Sequence, residues 1–234
     1  MTRGKRGFDL FWSTLGLVLL WPLFLVLGLL IALDDGGPVL YRQDRVGKGG
    51  RLFRMLKFRT MLVDADKSGE LLTVGRDPRT TRVGYWMRQL KLDELPQLWN
   101  VLVGEMSLVG PRPEVPRYVA RYTAEQWRVL DLTPGITDRA SIRYGNESEL
   151  LARASDPEAL YVTQIVPDKI RLNLEYAAHA TVWTDFGIVL STVAHMVLPW
   201  PRALDDLASP PPPPPPPRRQ ALPERRSTLS RSRP

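Results

Sequence analysis

The sequence predicts a mainly α-helical protein with one small β-hairpin, an N-terminal re-entrant membrane helix-break-helix, and a folded domain at the membrane surface. Three observations carry that prediction. Residues 10–33 form a 24-residue run without a charged side chain, bounded by Asp9 and by Asp34-Asp35. Basic residues crowd both flanks of this run. Farther along, apolar positions recur mostly at helical spacing, and only the stretch around Gly47-Lys48-Gly49-Gly50 reads as two short paired strands.

As a continuous helix the apolar run would be about 36 Å long, enough to cross a bilayer. It is too long for a cleaved signal peptide and lacks a small-residue cleavage pattern. Arg3, Lys5 and Arg6 precede it; Arg42, Arg45, Lys48, Arg51, Arg54, Lys57 and Arg59 follow, against one acid, Asp44. Basic flanks favour the cytoplasmic side. A re-entrant hairpin with its break at Pro22 satisfies both flanks, whereas a kinked spanning helix satisfies one. Residues 1–35 are therefore read as the membrane element.

Residues 36–204 are read as one folded domain. Gly36-Gly37-Pro38 turns into the hairpin, whose glycine cluster lacks the spacing and the Lys-Ser/Thr ending of a P-loop. Residues 62–80 read as a loop, and a short helix follows through Trp86 to Leu90. Leu95, Leu98, Trp99 and Leu102 share a helical face that Gly104 ends. Another amphipathic helix is expected over "RPEVPRYVARYTAEQWRVL", with Tyr118, Trp127 and Leu130 in the core or at a lipid interface. One or two helices close the domain, where the uncharged run from Phe186 to Trp200 is too short for a comfortable span. Residues 205–234 hold eight consecutive prolines, Pro210 to Pro217, then six arginines and one acid. That tail reads as solvated and disordered, with a lipid-headgroup tether or proline-motif ligand as the sharper alternative.

Composition limits the chemistry. The 234 residues contain no cysteine and two histidines, His179 and His195, with a formal charge of +7. Thiolate chemistry and a histidine-rich metal site are excluded, so acid, base and nucleophile roles fall mainly to carboxylates. Asp93 and Glu94 open the helix at Leu95, with Asp93 placed as its N-cap and Pro96 at the third helical position. Because Pro96 has no N–H, Asp93 would have one backbone donor, and the helix dipole would favour its ionised form. Such a carboxylate can act as a nucleophile towards phosphorus, while Glu94, about 100° around the helix, could hold a divalent cation or orient a nucleotide. First-turn acids are usually caps alone, and the dipeptide by itself favours that reading. The nearby cations alter the balance. Lys57, Arg59, Arg79, Arg82, Arg88 and Arg112 are too many for a lipid-facing surface, and Arg112 sits between two prolines on stiff backbone suited to gripping phosphate. Lys57, Arg59, Arg88 and Arg112 are the candidate substrate-binding residues. The combination suggests a phosphorylated substrate at a membrane.

"LDELPQLWNVLVGEMSLVGPRPE" (residues 92–114) resembles the signature of the bacterial sugar transferases, the monotopic polyprenyl-phosphate phosphoglycosyl transferases. "KRGFDLFWS" (5–13), "GPVLYRQDRVGKGGRLFRMLKFRTM" (37–61), "DPRTTRVG" (77–84) and "TPGIT" (133–137) extend the resemblance in order. It implies transfer of a sugar-1-phosphate from a UDP-sugar to a polyprenyl (undecaprenyl) phosphate, with release of UMP. Asp93 would be the nucleophile, forming an aspartyl phosphosugar, with Glu94 beside it and Mg²⁺ required, Glu94 being its candidate ligand. Arg112 and Lys57 would hold phosphates, and the membrane helix would be re-entrant and bent at a proline. The implied place is the cytoplasmic face of the bacterial inner membrane, with the lipid bilayer and a second copy of the chain as candidate partners. Nucleic acid is excluded as a partner, since the basic residues adjoin a membrane segment and a carboxylate pair.

The sequence departs from the family pattern at Trp21, where many members have serine, and after "PGIT", which continues here as "DRASIRYGNE". Lacking the extra N-terminal membrane helices of longer members, it is expected to be a minimal catalytic form. A single-displacement transferase using Asp93 and Glu94 only as metal ligands, and a non-enzymatic scaffold acting through the tail, are the competing readings.

Overall fold

A computed structural model of the chain describes residues 2–65, 72–75 and 77–197. The tail at 205–234, the end of the domain beyond residue 197 and part of the expected loop at 62–80 lie outside the described residues.

The first element is one helix, α1 (Arg3–Asp35), capped by the Thr2 side chain and ended by Gly36 in the left-handed region at φ 71°. Helical structure continues through Pro22, where two helices separated by a break were expected. Proline removes a single backbone donor from the ladder, and a long flanking apolar sequence sustains the helix on both sides. Both ends of α1 nevertheless attach to the same folded domain. At the start, Arg6 donates to the carbonyls of Val101 and Leu102 at 2.7 and 2.8 Å, Lys5 donates to the Val109 carbonyl and pairs with Asp185, and buried Asp9 accepts from the Leu108 N–H at 3.0 Å. At the end, Asp34 accepts from the Val83 N–H at 3.2 Å and Asp35 binds Arg59 through both oxygens. Between these anchors Leu27 and Ile31 are buried with Phe58 and Met87, and the Phe24 ring meets Phe58 edge-on at 5.4 Å. Only Asp9, Ser13, Leu27 and Ile31 of α1 are buried. Leu19, Trp21, Leu25 and Leu33 are exposed, so α1 presents apolar side chains along its outer face.

The expected hairpin is present. Strands β1 (Leu40–Val46) and β2 (Leu52–Phe58) pair antiparallel from Leu40↔Phe58 to Val46↔Leu52, with Gly49 and Gly50 taking positive φ in the turn. The loop that follows is closed by the isolated bridge Met61↔Thr80. Helix α2 (Arg82–Gln89) lies so near Thr60 that a Cβ at Gly84 would collide with the Thr60 backbone.

Helix α3 (Gln97–Val103) ends at Gly104 as expected, but buries another face. Gln97, Asn100 and Val101 point inward, while Trp99 is 52% exposed. Asn100 ties this helix to the hairpin, accepting from the Leu56 N–H and donating to the Arg54 carbonyl. Strand β3 (Ser107–Val109) then pairs parallel with β4 (Gly135–Thr137), a short sheet that periodicity did not predict. Between them the single helix expected is two pieces, α4 (Pro116–Val119) and a 3₁₀ segment (Gln126–Asp131). Thr123 and Gln126 explain the interruption: each side chain bonds the other's backbone N–H, a reciprocal capping pattern that starts a new helical segment. Tyr118 and Leu130 join the core, whereas Trp127 stays half-exposed beside Gly50.

Short helices α5 (Arg139–Arg143), α6 (Glu147–Ala152) and α7 (Pro157–Leu160) lead through a π-helical turn (Tyr161–Ile165) into α8 (Val166–Ala178). The last helix, α9 (Val182–Val197), buries Ile188 against β3 and β4 and leaves Trp183 83% exposed.

Candidate active site

A cavity of about 460 Å³ opens between the hairpin, the 3₁₀ turn before α3, the Pro111–Pro113 loop and helices α5, α6 and α8. Asp93, Glu94, Lys57, Arg88 and Arg112 all line it, so long-range folding gathers four of the sequence's basic and acidic motifs at one wall.

The local chain path differs from the expected cap. Lys91 takes the left-handed conformation at φ 55° and sends the chain into a 3₁₀ turn (Leu92–Glu94), so Pro96 occupies the N-cap of α3. Asp93 is therefore a turn residue and not an N-cap. Its carboxylate is buried and, among the described residues, accepts no hydrogen bond. Burial, then the neighbouring Glu94 charge, pushes Asp93 up from the usual carboxylate range, against the pull of Lys57 and Arg88. The one backbone donor expected for it as an N-cap is absent, and burial, not the helix dipole, governs its charge.

Glu94 is held in the opposite state. The Arg112 guanidinium donates to both of its oxygens, with Nη1 to Oε2 at 3.0 Å, and Lys57 Nζ stands 4.0 Å from Oε1. Burial opposes ionisation, but Arg112 and then Lys57 outweigh it and hold Glu94 well below the ordinary range. Arg112 is correspondingly raised, chiefly by Glu94. Lys57, on β2, is pushed down to about 8 by burial and by the nearby Arg112 charge, with Glu94 opposing. The two adjacent carboxylates thus differ sharply in environment, one free and uphill, one clasped and ionised.

Arg88 faces the same cavity, donating to the hydroxyls of Thr60 and Thr73 at 2.8 and 3.4 Å. Arg59 does not. Its guanidinium is spent on Asp35, the Pro38 carbonyl and the Met61 carbonyl, closing the end of α1 onto the domain. A substrate-binding role for Arg59 has no support in this geometry, because its donors are engaged and it does not line the cavity. Arg112, expected to grip phosphate, here gives two of its five donors to Glu94.

Several cavity residues were missed in the sequence. Arg45, on β1, donates to the Pro113 carbonyl at 2.9 Å and pairs with Glu114, which also accepts from the Tyr161 hydroxyl. Lys169 pairs with Glu147 and lies over the rings of Tyr144 and Tyr161. Arg45 carried one signal, its place in the basic hairpin; the others depend on tertiary packing.

Among the described residues no group of three or more carboxylate, histidine or cysteine side chains forms a ready-made metal cage. Glu94 keeps lone pairs beyond those given to Arg112, so one protein carboxylate together with phosphate oxygens fits the way Mg²⁺ is usually held.

A sequence profile described as bacterial sugar transferase matches residues 1–199. Similar proteins include the "Undecaprenyl-phosphate glucose phosphotransferase" of Komagataeibacter xylinus, 40% identical over 204 residues, covering 81% of this chain and 35% of that protein. The "UDP-N-acetylgalactosamine-undecaprenyl-phosphate N-acetylgalactosaminephosphotransferase" of Aeromonas hydrophila is 38% identical over 193 residues, 81% of this chain and 42% of that protein. The "Exopolysaccharide production protein PSS" of Rhizobium leguminosarum bv. phaseoli is 37% identical over 204 residues, 81% of this chain and 92% of that protein. The chain thus spans less than half the length of the first two and nearly the whole of the third.

Proposed function

This chain belongs to the bacterial sugar transferase family, and from that premise we propose that it moves a sugar-1-phosphate from a UDP-sugar to undecaprenyl phosphate at a membrane, as a step in polysaccharide or glycoconjugate synthesis. The observation that carries the reading is the unequal carboxylate pair: Asp93 without a hydrogen-bond partner among the described residues, beside Glu94 clasped by Arg112, at the wall of a cavity of ligand size.

The chemistry follows from that inequality. An Asp93 oxygen attacks the phosphorus that bears the sugar, forming an acyl phosphate while the bond to the bridging oxygen breaks and UMP leaves with the electron pair. A phosphate oxygen of the polyprenyl acceptor then attacks the same phosphorus, and Asp93 departs as carboxylate. One phosphoanhydride replaces another, so the enzyme supplies positioning and charge neutralisation in place of driving force. Lys57, Arg88 and the uncommitted donors of Arg112 hold the diphosphate. Mg²⁺, bound through Glu94 and phosphate oxygens, would add charge neutralisation there. Intact mass of the protein with Mg²⁺ and a panel of UDP-sugars, without acceptor, tests the reading. A sugar-phosphate adduct with UMP released is expected. Turnover with acceptor but no adduct would mean single displacement.

The same reading makes α1 a re-entrant element on the cytoplasmic side of the inner membrane. Its support is that both helix ends bond to one domain while the outer face is apolar. Introduced cysteines, Thr2→Cys and Arg42→Cys, both at exposed positions, are expected to react with an impermeant reagent from the same side; opposite-side labelling would show a spanning helix.

The pH profile of transfer has a predicted shape. Lys57 must be charged to hold phosphate, so kcat/KM should fall as pH rises through about 8. Asp93 must be ionised, and its upward shift places the acid limb above the ordinary carboxylate value of 3.8. Lys57→Arg should remove the alkaline limb up to about pH 10, because arginine stays protonated there. An unchanged limb in that variant would show that another group titrates.

A further inference from the structure

The segment Pro111-Arg112-Pro113 contains a single backbone N–H, that of Arg112, because neither proline has one. That one donor goes to the Asp138 carboxylate, Oδ2 at 2.9 Å. Asp138 follows β4 directly, and the parallel pairing Val109↔Thr137 brings it beside the loop. Its other oxygen caps α5 by accepting from the Ser141 N–H. Asn173 of α8 donates to Oδ2 at 3.3 Å and to the Lys169 carbonyl at 3.0 Å. Asp138 is 1% exposed and Asn173 3%. A relay therefore runs from α8 through Asn173 and Asp138 to the Arg112 backbone, and from the Arg112 side chain to Glu94.

We propose that Asp138 is a positioning residue for the transfer reaction, fixing the Arg112 backbone so that its guanidinium meets Glu94 and the substrate diphosphate in one orientation. The inference rests on the transferase reading. Its physical basis is that the loop has one backbone donor and the protein has put a buried carboxylate on it, while the Pro111 and Pro113 carbonyls accept from the Gly135 N–H and from Arg45 and so tie the loop to β4 and the hairpin. Two prolines stiffen the tripeptide internally but do not place it relative to α5 and α8; the Arg112 N–H does.

A plain α5 cap would look similar in outline, and the two roles are separable. Asp138→Asn keeps the size and one acceptor oxygen. If that oxygen caps α5, the amide N–H₂ faces the Arg112 N–H, donor against donor. Asp138→Ser keeps a capping oxygen alone. Two readouts decide the matter. The first is amide hydrogen exchange in the peptide containing Pro111–Pro113, where only Arg112 reports between the prolines. Faster exchange there in both variants, with α8 protected as in the wild type, is expected. The second is transfer kinetics: kcat should fall roughly 10- to 100-fold with KM for the UDP-sugar little changed, the cost of slight misplacement of a catalytic group. In an Arg112→Ala background neither Asp138 variant should lower kcat further, since no guanidinium is left to position. Unchanged exchange at Arg112, or factors that multiply in the double variants, would overturn the proposal. Loss of melting temperature with kcat intact would reduce Asp138 to a cap. A wild type inert with every UDP-sugar would sink the transferase reading, while the exchange result would still decide whether Asp138 anchors Arg112.

Discussion

Asp93→Asn is expected to lose at least about 10⁴-fold in turnover and to show no sugar-phosphate adduct, while melting no lower than the wild type. The two halves of this result have separate causes. An amide cannot form the acyl phosphate, so the route through residue 93 closes. Stability moves the other way because the carboxylate is buried, unsupported by any hydrogen bond among the described residues, and next to the ionised Glu94. A group whose folded value is raised above its unfolded value stabilises only below the unfolded value, here 3.8, and loses that contribution as pH rises through the folded value. At pH 7 ionised Asp93 is therefore a cost to the fold, and asparagine of equal size relieves it. The stability gain should vanish as pH falls below the ordinary value. Thermal unfolding of both proteins across pH, alongside intact mass, checks both halves. A variant that lost activity and also melted much lower would mean that Asp93 serves the fold.

The same residues show how far the sequence could be read. The hairpin, the glycine stop of α3 and the candidacy of Asp93, Glu94, Lys57, Arg88 and Arg112 were legible, because turn chemistry and charge clustering are local signals, while their meeting at one cavity depends on the long-range fold. Helix α3 was legible in extent, while the side it buries was not: Leu98 of its apolar face packs on the core beside the buried polar pair Gln97 and Asn100. Its stripe of Leu95, Leu98, Trp99 and Leu102 presumes that water lies outside, yet Gln97 and Asn100 go inward and Trp99 faces out. Arg59 and Arg112 were indistinguishable as basic residues near a motif. Only tertiary structure, in which Asp35 at the end of α1 captures Arg59, sends one to the helix and the other to the cavity. Asp138 was visible as a departure from a pattern, but its bond to Arg112 depends on the pairing of strands 28 residues apart in register, Val109 with Thr137, which no local rule encodes.

Arg112→Ala should damage catalysis less, by about 10²- to 10³-fold, and unlike Asp93→Asn it should also cost stability. The ion pair with Glu94 is largely out of water, at 31% and 13% side-chain exposure, so removing the guanidinium strands a charge instead of exposing it to solvent. Breaking such a pair costs about 3 kcal/mol, lessened here because Lys57 stands 4.0 Å from the same carboxylate. Glu94 has a depressed folded value, so its contribution is present above the ordinary 4.5 and lost as pH falls through the folded value. The penalty in Arg112→Ala is thus expressed at pH 7 and shrinks in acid, where a protonated Glu94 needs no partner. Adding Glu94→Gln to Arg112→Ala should restore most of the melting temperature and none of the turnover, since the stranded charge is gone while both catalytic supports are missing. Recovery of activity together with stability in that double variant would mean that the pair only holds the loop in place. Recovery of stability alone would locate the function of Arg112 and Glu94 in the reaction.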